Sequence, residues 1–289
     1  MQPKLPPLKE VIARHGLGAR KSLGQHFLLD EGVTAEIARY AGDLSGYNVV
    51  EIGSGPGGLT RAILNAGAKS LTVVEKDDRA IAIMQELAAA YGANAGNCRL
   101  QVIHDDALKI NLLEAVPHPR KIIANLPYNI GTQLLLNWLD DVYTHGAEAY
   151  TSLTLMFQEE VAQRIIAAPD TSDYGRLSVI CQFLCDCRYD FQLPPEAFTP
   201  PPKVHSAVIT LTPRTKPLFP VAKKSLEKVV AAAFNQRRKM LRGGLKSLGV
   251  PVEELLAKSG IDGTLRAEVL TIDDFCRLTQ VYEQLSSRT

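Results

Sequence analysis

A glycine-rich turn directly follows a short apolar segment in the first quarter of this chain. Residues 49–52 (VVEI) have the composition of a buried strand, residues 53–58 read GSGPGG, and residues 59–64 begin a helical pattern. Glycine allows a tight turn and lets the backbone approach a nucleotide, because no Cβ stands in the way. The arrangement predicts the first strand, turn and helix of a nucleotide-binding α/β sheet.

Six further apolar segments predict strands, and helical patterns separate the first five strands. The predicted strands cover residues 49–52, 71–75, 100–103, 121–124, 151–156, 187–192 and 206–212. This alternation is typical of a Rossmann-like α/β fold, a mostly parallel sheet with helices on both faces. The last two strands are expected to pair antiparallel, because the proline-rich loop between them is too short for a helical crossover.

A second proline-rich stretch, at residues 213–220, separates the predicted sheet from a C-terminal region with helical periodicity. The helices are expected at residues 221–234, 235–247, 251–259 and 272–286. We therefore predict two domains. The first is an α/β domain over residues 1–213 with a basic N-terminal arm, and the second is a small all-helical domain over residues 214–289.

The formal net charge of +1 conceals a strong segregation of charge along the chain. Residues 198–250 carry eleven Lys or Arg and one acid, and residues 1–25 carry five bases and one acid. Segregated positive charge is typical of proteins that bind polyanions such as RNA, although a solvated basic face is the alternative. The candidate RNA-binding residues are Lys203, Arg237, Arg238, Lys239 and Arg242.

Composition limits the class of protein further. The five cysteines are an odd number for a bridged framework, and three of them lie in the apolar segment 181–187, so reduced core thiols without a metal site are predicted. No apolar run approaches the ~20 residues that span a bilayer, and the N-terminus lacks the apolar stretch of a secretory signal. We expect a soluble cytoplasmic monomer with no membrane partner.

Polar and aromatic residues follow the predicted strand 121–124 in the order Asn125-Leu126-Pro127-Tyr128. Ligands of open α/β sheets bind at the carboxyl ends of the strands. Here an amide offers an acceptor oxygen, the proline fixes the turn, and the tyrosine offers a π face. That set suits a flat base with an exocyclic amine.

Acidic residues end two other predicted strands. Glu75 closes the strand 71–75 at the distance from the glycine turn where dinucleotide folds carry an acid for ribose hydroxyls. Asp106 follows the strand 100–103. We expect both carboxylates at the same edge of the sheet as Asn125.

The ordered set Glu51, Gly53, Gly55, Glu75, Asp106 and Asn125 is similar to the cofactor edge of an S-adenosylmethionine (SAM)-dependent methyltransferase. The motifs QHFL (25–28), QEEV (158–161), YGRLSV (174–179), FTPPPKV (198–204) and FNQRRK (234–239) extend the likeness. Together they resemble the bacterial small-subunit (16S) ribosomal RNA adenine dimethyltransferases, the kasugamycin-sensitivity methyltransferase family. Two positions depart from the family pattern: Ser54, where many members have proline, and Gly131, where serine is common.

The resemblance implies SAM as cofactor and assigns a role to each site residue. The implied cofactor-binding residues are His26, Leu28, Gly53, Glu75, Asp106 and Asn125. Glu75 would accept from the ribose hydroxyls and Asp106 from the adenine amine of SAM. At the target base, Asn125 Oδ1 and the Leu126 carbonyl would accept the two N–H groups of the reacting amine, Tyr128 would stack on the base, and Phe198 would cover its other face.

The implied reaction is dimethylation of the N6 amines of two adjacent adenosines near the 3′ end of small-subunit ribosomal RNA, within an immature subunit. Three other classes are weighed against it. A large-subunit adenine methyltransferase is disfavoured by the long basic helical region. An assembly or transcription factor without catalysis is disfavoured by the intact Asn125, Tyr128, Glu75 and Asp106. A nicotinamide oxidoreductase would have no use for the Asn-Leu-Pro-Tyr motif.

Overall fold

The computed structural model describes residues 3–20, 23–92, 99–216 and 218–287. Lys21 of the predicted basic arm and Pro217 of the predicted linker lie outside these ranges. The chain forms two compact units, of which the first comprises Met1–Ala162 and Arg188–Pro213. The second comprises Gln163–Cys187 and Arg214–Thr289.

The strands confirm the predicted β-structure. Their bounds are β1 Phe27–Leu28, β2 Asn48–Ile52, β3 Ser70–Glu75, β4 Arg99–His104, β5 Arg120–Asn125, β6 Ser152–Gln158, β7 Cys185–Leu193, β8 Phe198–Thr199 and β9 Ser206–Pro213. Every predicted strand is observed with ends within two residues of the prediction. The two-residue strands β1 and β8 escaped it, because a segment so short has no periodicity.

The main sheet has the strand order β4-β3-β2-β5-β6-β9-β7. Neighbouring strands from β4 to β6 run parallel, and β9 runs antiparallel to β6. The chain moves outward from β2 to β4 and then restarts at β5 on the other side of β2. Because parallel crossovers are right-handed, this reversal puts the connecting helices on opposite faces and opens a crevice between the carboxyl ends of β2 and β5. The Rossmann-like architecture is therefore confirmed.

Helices follow most strands of the sheet and make up much of the second unit. Their bounds are α1 Leu8–His15, α2 Glu31–Tyr40, α3 Gly58–Asn65, α4 Asp78–Gly92, α5 Leu112–Ala115, α6 Gly131–His145, α7 Glu159–Ile166, α8 Arg176–Leu184, α9 Lys223–Phe234, α10 Leu241–Leu245, α11 Val252–Ser259 and α12 Ile272–Ser286.

The buried core of the first unit lies along its central sheet. All five residues of β2 are buried, as expected for a central strand covered on both faces. The N-terminal arm is part of this unit, since α1 buries Leu8 and Val11. The Arg61 guanidinium donates to the Pro6 carbonyl at 2.7 Å, which fastens the arm further. The basic N-terminal arm is therefore packed on the first unit, to which residues 1–162 belong.

The second unit differs from the predicted helical domain by including residues 163–187. Tyr174 packs edge-on against Phe234 with ring centroids 6.1 Å apart, and Phe234 stacks on Phe275 at 5.7 Å. These rings join the segment before α8 to α9 and α12. The sequence did not predict this association, because the aromatic residues that pack together are far apart in the chain.

The predicted helix 235–247 is shorter than expected. Residues 235–238 form turns, Lys239 lies in a bend, and α10 begins only at Leu241. The close packing of α10 against α9 leaves no room for a side chain at Gly244, where a Cβ would lie 2.6 Å from the Ala232 carbonyl oxygen. A short helix, α10, whose backbone lies close to that of α9, therefore stands where a long amphipathic helix was predicted.

Among the described residues, no helix is long and apolar enough to cross a membrane. Four cysteines are free thiols, of which Cys181, Cys185 and Cys276 are buried and Cys187 is half-buried. Burial raises the pKa of Cys276 to about 12, so this thiol stays protonated. The fifth, Cys98, lies outside the described residues.

Candidate functional site at the carboxyl edge of the sheet

A cavity opens in the crevice at the carboxyl ends of β2, β3 and β5. It is lined by the glycine turn, by Glu75 at the end of β3, by the two acids after β4, by the loop after β5 and by residues 23–28. Of the predicted site residues, the structure brings together His26, Leu28, Gly53, Glu75, Asp106, Asn125, Leu126 and Tyr128. The topology places them there, because parallel strands end at one edge.

The glycine turn brings bare backbone to the cavity wall. Gly53, Gly55 and Gly57 have φ of +74°, +52° and +89°, in the left-handed region that favours glycine. A Cβ at Gly55 would lie 2.9 Å from the Phe27 ring. A side chain is thus excluded at this position by contact as well as by conformation.

Glu75 is buried beside the turn and accepts four hydrogen bonds. Its Oε2 accepts from the Ser54 hydroxyl and the Gly55 amide, each at 3.2 Å. Its Oε1 accepts from the amides of Lys76 at 2.8 Å and Asp77 at 2.9 Å. The carboxylate therefore holds the glycine turn to the end of β3. Ser54 supplies a bond that proline cannot make at this position, so its departure from the family pattern adds a contact.

Asp106 stands at the cavity after β4 as an ionised acceptor. Its carboxylate accepts from Lys76 Nζ at 2.8 Å and from the Leu108 amide at 3.1 Å. The Lys76 hydrogen bond is the largest of the influences that lower the pKa of Asp106. A carboxylate that stays charged can accept from an exocyclic amine.

Asn125 ends β5 with its amide held from one side. Its Nδ2 donates to the His26 carbonyl at 3.1 Å, and this network assigns the orientation of the amide. No described residue donates to Asn125 Oδ1. The oxygen therefore remains available as an acceptor, as the predicted role requires.

Tyr128 is fixed at its hydroxyl and along one face. The hydroxyl lies 2.6 Å from Ser206 Oγ. The ring stacks on His26 at a centroid distance of 5.4 Å, and His26 Nδ1 lies 2.8 Å from the Pro200 carbonyl oxygen. Burial raises the pKa of the Tyr128 phenol, against the opposing effect of the Ser206 hydrogen bond. Neither Ser206 nor the stacking was foreseen, since both depend on long-range contacts.

Phe198 lies outside the lining of this cavity. Its side chain is 2% exposed within the core cluster of the first unit, and it is not among the cavity-lining residues. In β8 it pairs with Leu28 of β1. The loop folds back as a strand and buries the ring in the core, so in this conformation Phe198 supports residues 27 and 28 and does not face the cavity.

Glu51, the first residue of the ordered set at the cofactor edge, is a buried carboxyl in the cavity lining. It is 1% exposed and accepts a 2.6 Å hydrogen bond from the Thr60 hydroxyl. Burial raises the pKa of Glu51 to about 8, in part offset by the Thr60 bond. The protonated form is therefore present at neutral pH. The apolar neighbours of Glu51 in β2 are the sequence feature that could have predicted its burial.

The candidate RNA-binding residues fall into two groups. Arg238, Lys239, Arg242 and Lys203 are exposed. Arg237, by contrast, pairs with Glu268 at 3.1 Å and donates to the carbonyls of Thr171 and Ser172. The Arg237 guanidinium therefore makes contacts within the second unit, whereas Arg238 and Lys239 are exposed.

Comparison with known proteins agrees with this geometry. The sequence pattern of the family described as Ribosomal RNA adenine dimethylase matches residues 16–284. Ribosomal RNA small subunit methyltransferase A of Paramagnetospirillum magneticum is 53% identical over 279 residues, which cover 96% of this chain and 95% of that protein. The protein of the same name from Rhizobium etli is 54% identical, covering 95% and 96% of the two chains.

Solved structures show the same fold. A dimethyladenosine transferase from Plasmodium falciparum superimposes with a TM-score of 0.76 at 24% identity, covering 90% of this chain and 98% of that one. The 23S rRNA methyltransferase ErmE superimposes with a TM-score of 0.65 at 26% identity, covering 89% and 100%. From the sequence match along nearly its whole length, supported by the site at the carboxyl edge of its sheet, the chain belongs to the ribosomal RNA adenine dimethylase family.

Proposed function

We propose that this protein transfers methyl groups from SAM to the N6 amines of two adjacent adenosines near the 3′ end of small-subunit ribosomal RNA, giving N6,N6-dimethyladenosines. The observation that carries the proposal is the state of Asn125, whose Nδ2 is held by the His26 carbonyl while its Oδ1 has no donor among the described residues. An oriented acceptor at this place suits an exocyclic amine.

The cavity fits SAM in the chemistry of its lining groups. Gly53 and Gly55 present bare backbone where a side chain at Gly55 would strike Phe27. Asp106 offers an ionised acceptor for the adenine amine of the cofactor. Glu75 is the candidate partner of the ribose hydroxyls, and it would exchange its bonds to Ser54 and Gly55 in part for them.

Methyl transfer requires positioning more than proton abstraction. Bound SAM supplies an electrophilic methyl group on a sulfonium. The adenine amine is a weak nucleophile, because its lone pair delocalises into the ring. Asn125 Oδ1 and the Leu126 carbonyl would accept its two N–H groups and favour a localised lone pair that points at the methyl group. Tyr128 would stack on the base with the face that His26 leaves open.

RNA binding is assigned to exposed cations. Arg238, Lys239 and Arg242 of the second unit and Lys203 of the first are available for phosphates. Arg237 is instead proposed to hold the turn that presents its two neighbours, through Glu268 and the carbonyls at 171 and 172. We further propose that the protein acts as a cytoplasmic monomer on immature small subunits.

Incubation with tritium-labelled SAM tests the function directly. The protein would be offered four RNA samples in separate reactions: small subunits lacking the modification, mature small subunits, large subunits and naked small-subunit RNA. Asn125→Ala is the control protein. We expect label only on unmodified small-subunit RNA, at two adjacent adenosines. Label on large-subunit RNA would favour the alternative substrate, and incorporation by Asn125→Ala at the wild-type rate would refute the positioning role.

A further inference from the structure

Residues 23–28, the cover segment, form one wall of the candidate cofactor cavity. All six of them line it. The segment packs closely on the loop after β5, since a Cβ at Gly24 would lie 2.9 Å from Asn129 Oδ1. A molecule held between the strand ends and this wall would lie directly against the cover segment.

One half of the cover segment is fastened on the side of the proposed target base. The His26 carbonyl accepts from Asn125, and the His26 ring stacks on Tyr128. These contacts join the segment to the end of β5 and to the loop beyond it.

The other half of the cover segment is fastened just after β3 by the carboxylate of Asp77, which is not among the proposed site residues. Gln25 Nε2 donates to Asp77 Oδ2 at 3.1 Å, although the two residues are 52 positions apart in the sequence. The Asp77 side chain is 1% exposed. Its amide donates to Glu75 Oε1 at 2.9 Å, so Asp77 contacts both the cover segment and the proposed ribose ligand.

Arg79 compensates the buried charge of Asp77 and extends the attachment. Its Nη2 donates to Asp77 Oδ2 at 2.6 Å and its Nε to Oδ1 at 2.9 Å. Its Nη1 donates to the carbonyls of Gly16 at 3.0 Å and Gly18 at 3.1 Å, upstream of the cover segment. The Arg79 hydrogen bond lowers the pKa of Asp77 to about 2, so the carboxylate stays charged and remains a strong acceptor.

We propose that Gln25 and Asp77 form a latch that keeps the cover segment closed over SAM, and that both are positioning residues which set how fast the cofactor leaves. The inference rests on the proposed assignment of the cavity to SAM. Arg79 donates three hydrogen bonds to Asp77, two from its guanidinium and one from its backbone amide, whereas Gln25 donates one. The Gln25 bond is therefore the one that can break and re-form while Asp77 and Arg79 stay in place.

Release of labelled SAM from Gln25→Ala tests the latch. The variant loses the hydrogen bond to the charged Asp77 and the bond that Gln25 Oε1 accepts from the Arg20 amide at 3.0 Å. We expect the dissociation rate constant to rise at least about tenfold. The KM for SAM should rise more than kcat falls. Gln101→Ala, which removes an exposed glutamine from β4, is the matched control and should release SAM as wild type does. A rate constant for Gln25→Ala within twofold of wild type would overturn the latch.

Hydrogen–deuterium exchange of the wild-type protein gives a measurement that needs no variant. Saturation with SAM should slow exchange of the amides in residues 23–28 by at least about tenfold, because closure withdraws them from solvent. Unchanged exchange in a protein that binds SAM would overturn the latch and leave the proposed function intact. A wild-type protein that binds no SAM would overturn both.

Discussion

The phenol oxygen of Tyr128 lies 2.6 Å from the hydroxyl oxygen of Ser206, so the aromatic ring proposed to meet the target base is anchored to the first residue of β9. Ser206 is fully buried. Because β9 pairs with β6 and β6 with β5, the ring is held by the same sheet that carries Asn125. From the sequence alone the tyrosine was expected to act through its ring. We propose that its hydroxyl, through the contact with Ser206, positions the ring as well.

Tyr128→Phe and Ser206→Ala should therefore reduce methyl transfer to a similar extent. Each removes the same hydrogen bond, worth about 1 kcal/mol, so the rate should fall roughly fivefold. The double variant should be little worse than either single one, because the same bond is absent in all three proteins. Single-turnover rates at saturating SAM measure this. Additive effects would show that the two hydroxyls act separately.

Tyr128→Ala provides the contrast, since it removes the ring that is proposed to stack on the base. A base–aromatic stack contributes about 1–3 kcal/mol, so the methyl-transfer rate of Tyr128→Ala should be lower than that of Tyr128→Phe. Equal activities of the Phe and Ala variants would mean that stacking contributes nothing measurable.

Glu75→Ala should weaken SAM binding by about 1.5–3 kcal/mol, the contribution of a hydrogen bond to a charged group. It should also lower the melting temperature, because four donors around a buried carboxylate lose their acceptor. Glu75→Gln keeps the side-chain volume and serves as the matched variant. Calorimetric titration and thermal unfolding separate the two effects. Unchanged SAM affinity in both variants would reject Glu75 as a ribose ligand.

Glu51 should make the free energy of unfolding depend on pH. Burial raises its pKa from 4.5 to about 8, so between these values the folded state binds more protons than the unfolded state. The contribution of Glu51 to stability is then fully present below pH 4.5 and is lost as pH rises through 8. The loss is roughly 3–5 kcal/mol.

Glu51→Gln isolates this contribution, since the amide can still accept from Thr60 but cannot ionise. Urea unfolding at pH 5 and pH 8 should show the wild type losing more stability than the variant over that interval. Parallel losses in the two proteins would contradict a raised pKa of Glu51.

Neutralising Arg238 and Lys239 together should reduce the salt dependence of binding to the small subunit. For each phosphate that the variant no longer neutralises, the slope should flatten by roughly 0.7–0.9 through smaller counterion release. Lys69→Gln with Lys109→Gln removes the same charge from two exposed sites of the first unit and should leave the slope unchanged. SAM binding should be unaffected by the change at Arg238 and Lys239, which lie in the second unit. If both double variants keep the wild-type slope, Arg238 and Lys239 bind no phosphate.

Arg237→Gln should behave differently from its neighbours. It breaks an ion pair with Glu268 and two bonds to backbone carbonyls, so the main expected effect is a lower melting temperature. Differential scanning calorimetry of Arg237→Gln beside Arg238→Gln checks this. A change in salt slope without a change in stability would return Arg237 to the phosphate-binding group.

The sequence by itself determined the sheet and most of the cavity. Apolar runs locate the strands, and the carboxyl ends of parallel strands must share an edge. The positions of Gly53, Glu75, Asp106 and Asn125 at strand ends were therefore sufficient to predict that they meet.

Only the tertiary structure decided what each of these side chains contacts. Ser206 anchors Tyr128, Asp77 holds Gln25, Phe198 is buried beside Leu28, and Arg237 is engaged by Glu268. Each of these pairs joins residues at least 31 positions apart. Local periodicity determines which face of an element is buried, but it does not specify which distant element packs against that face.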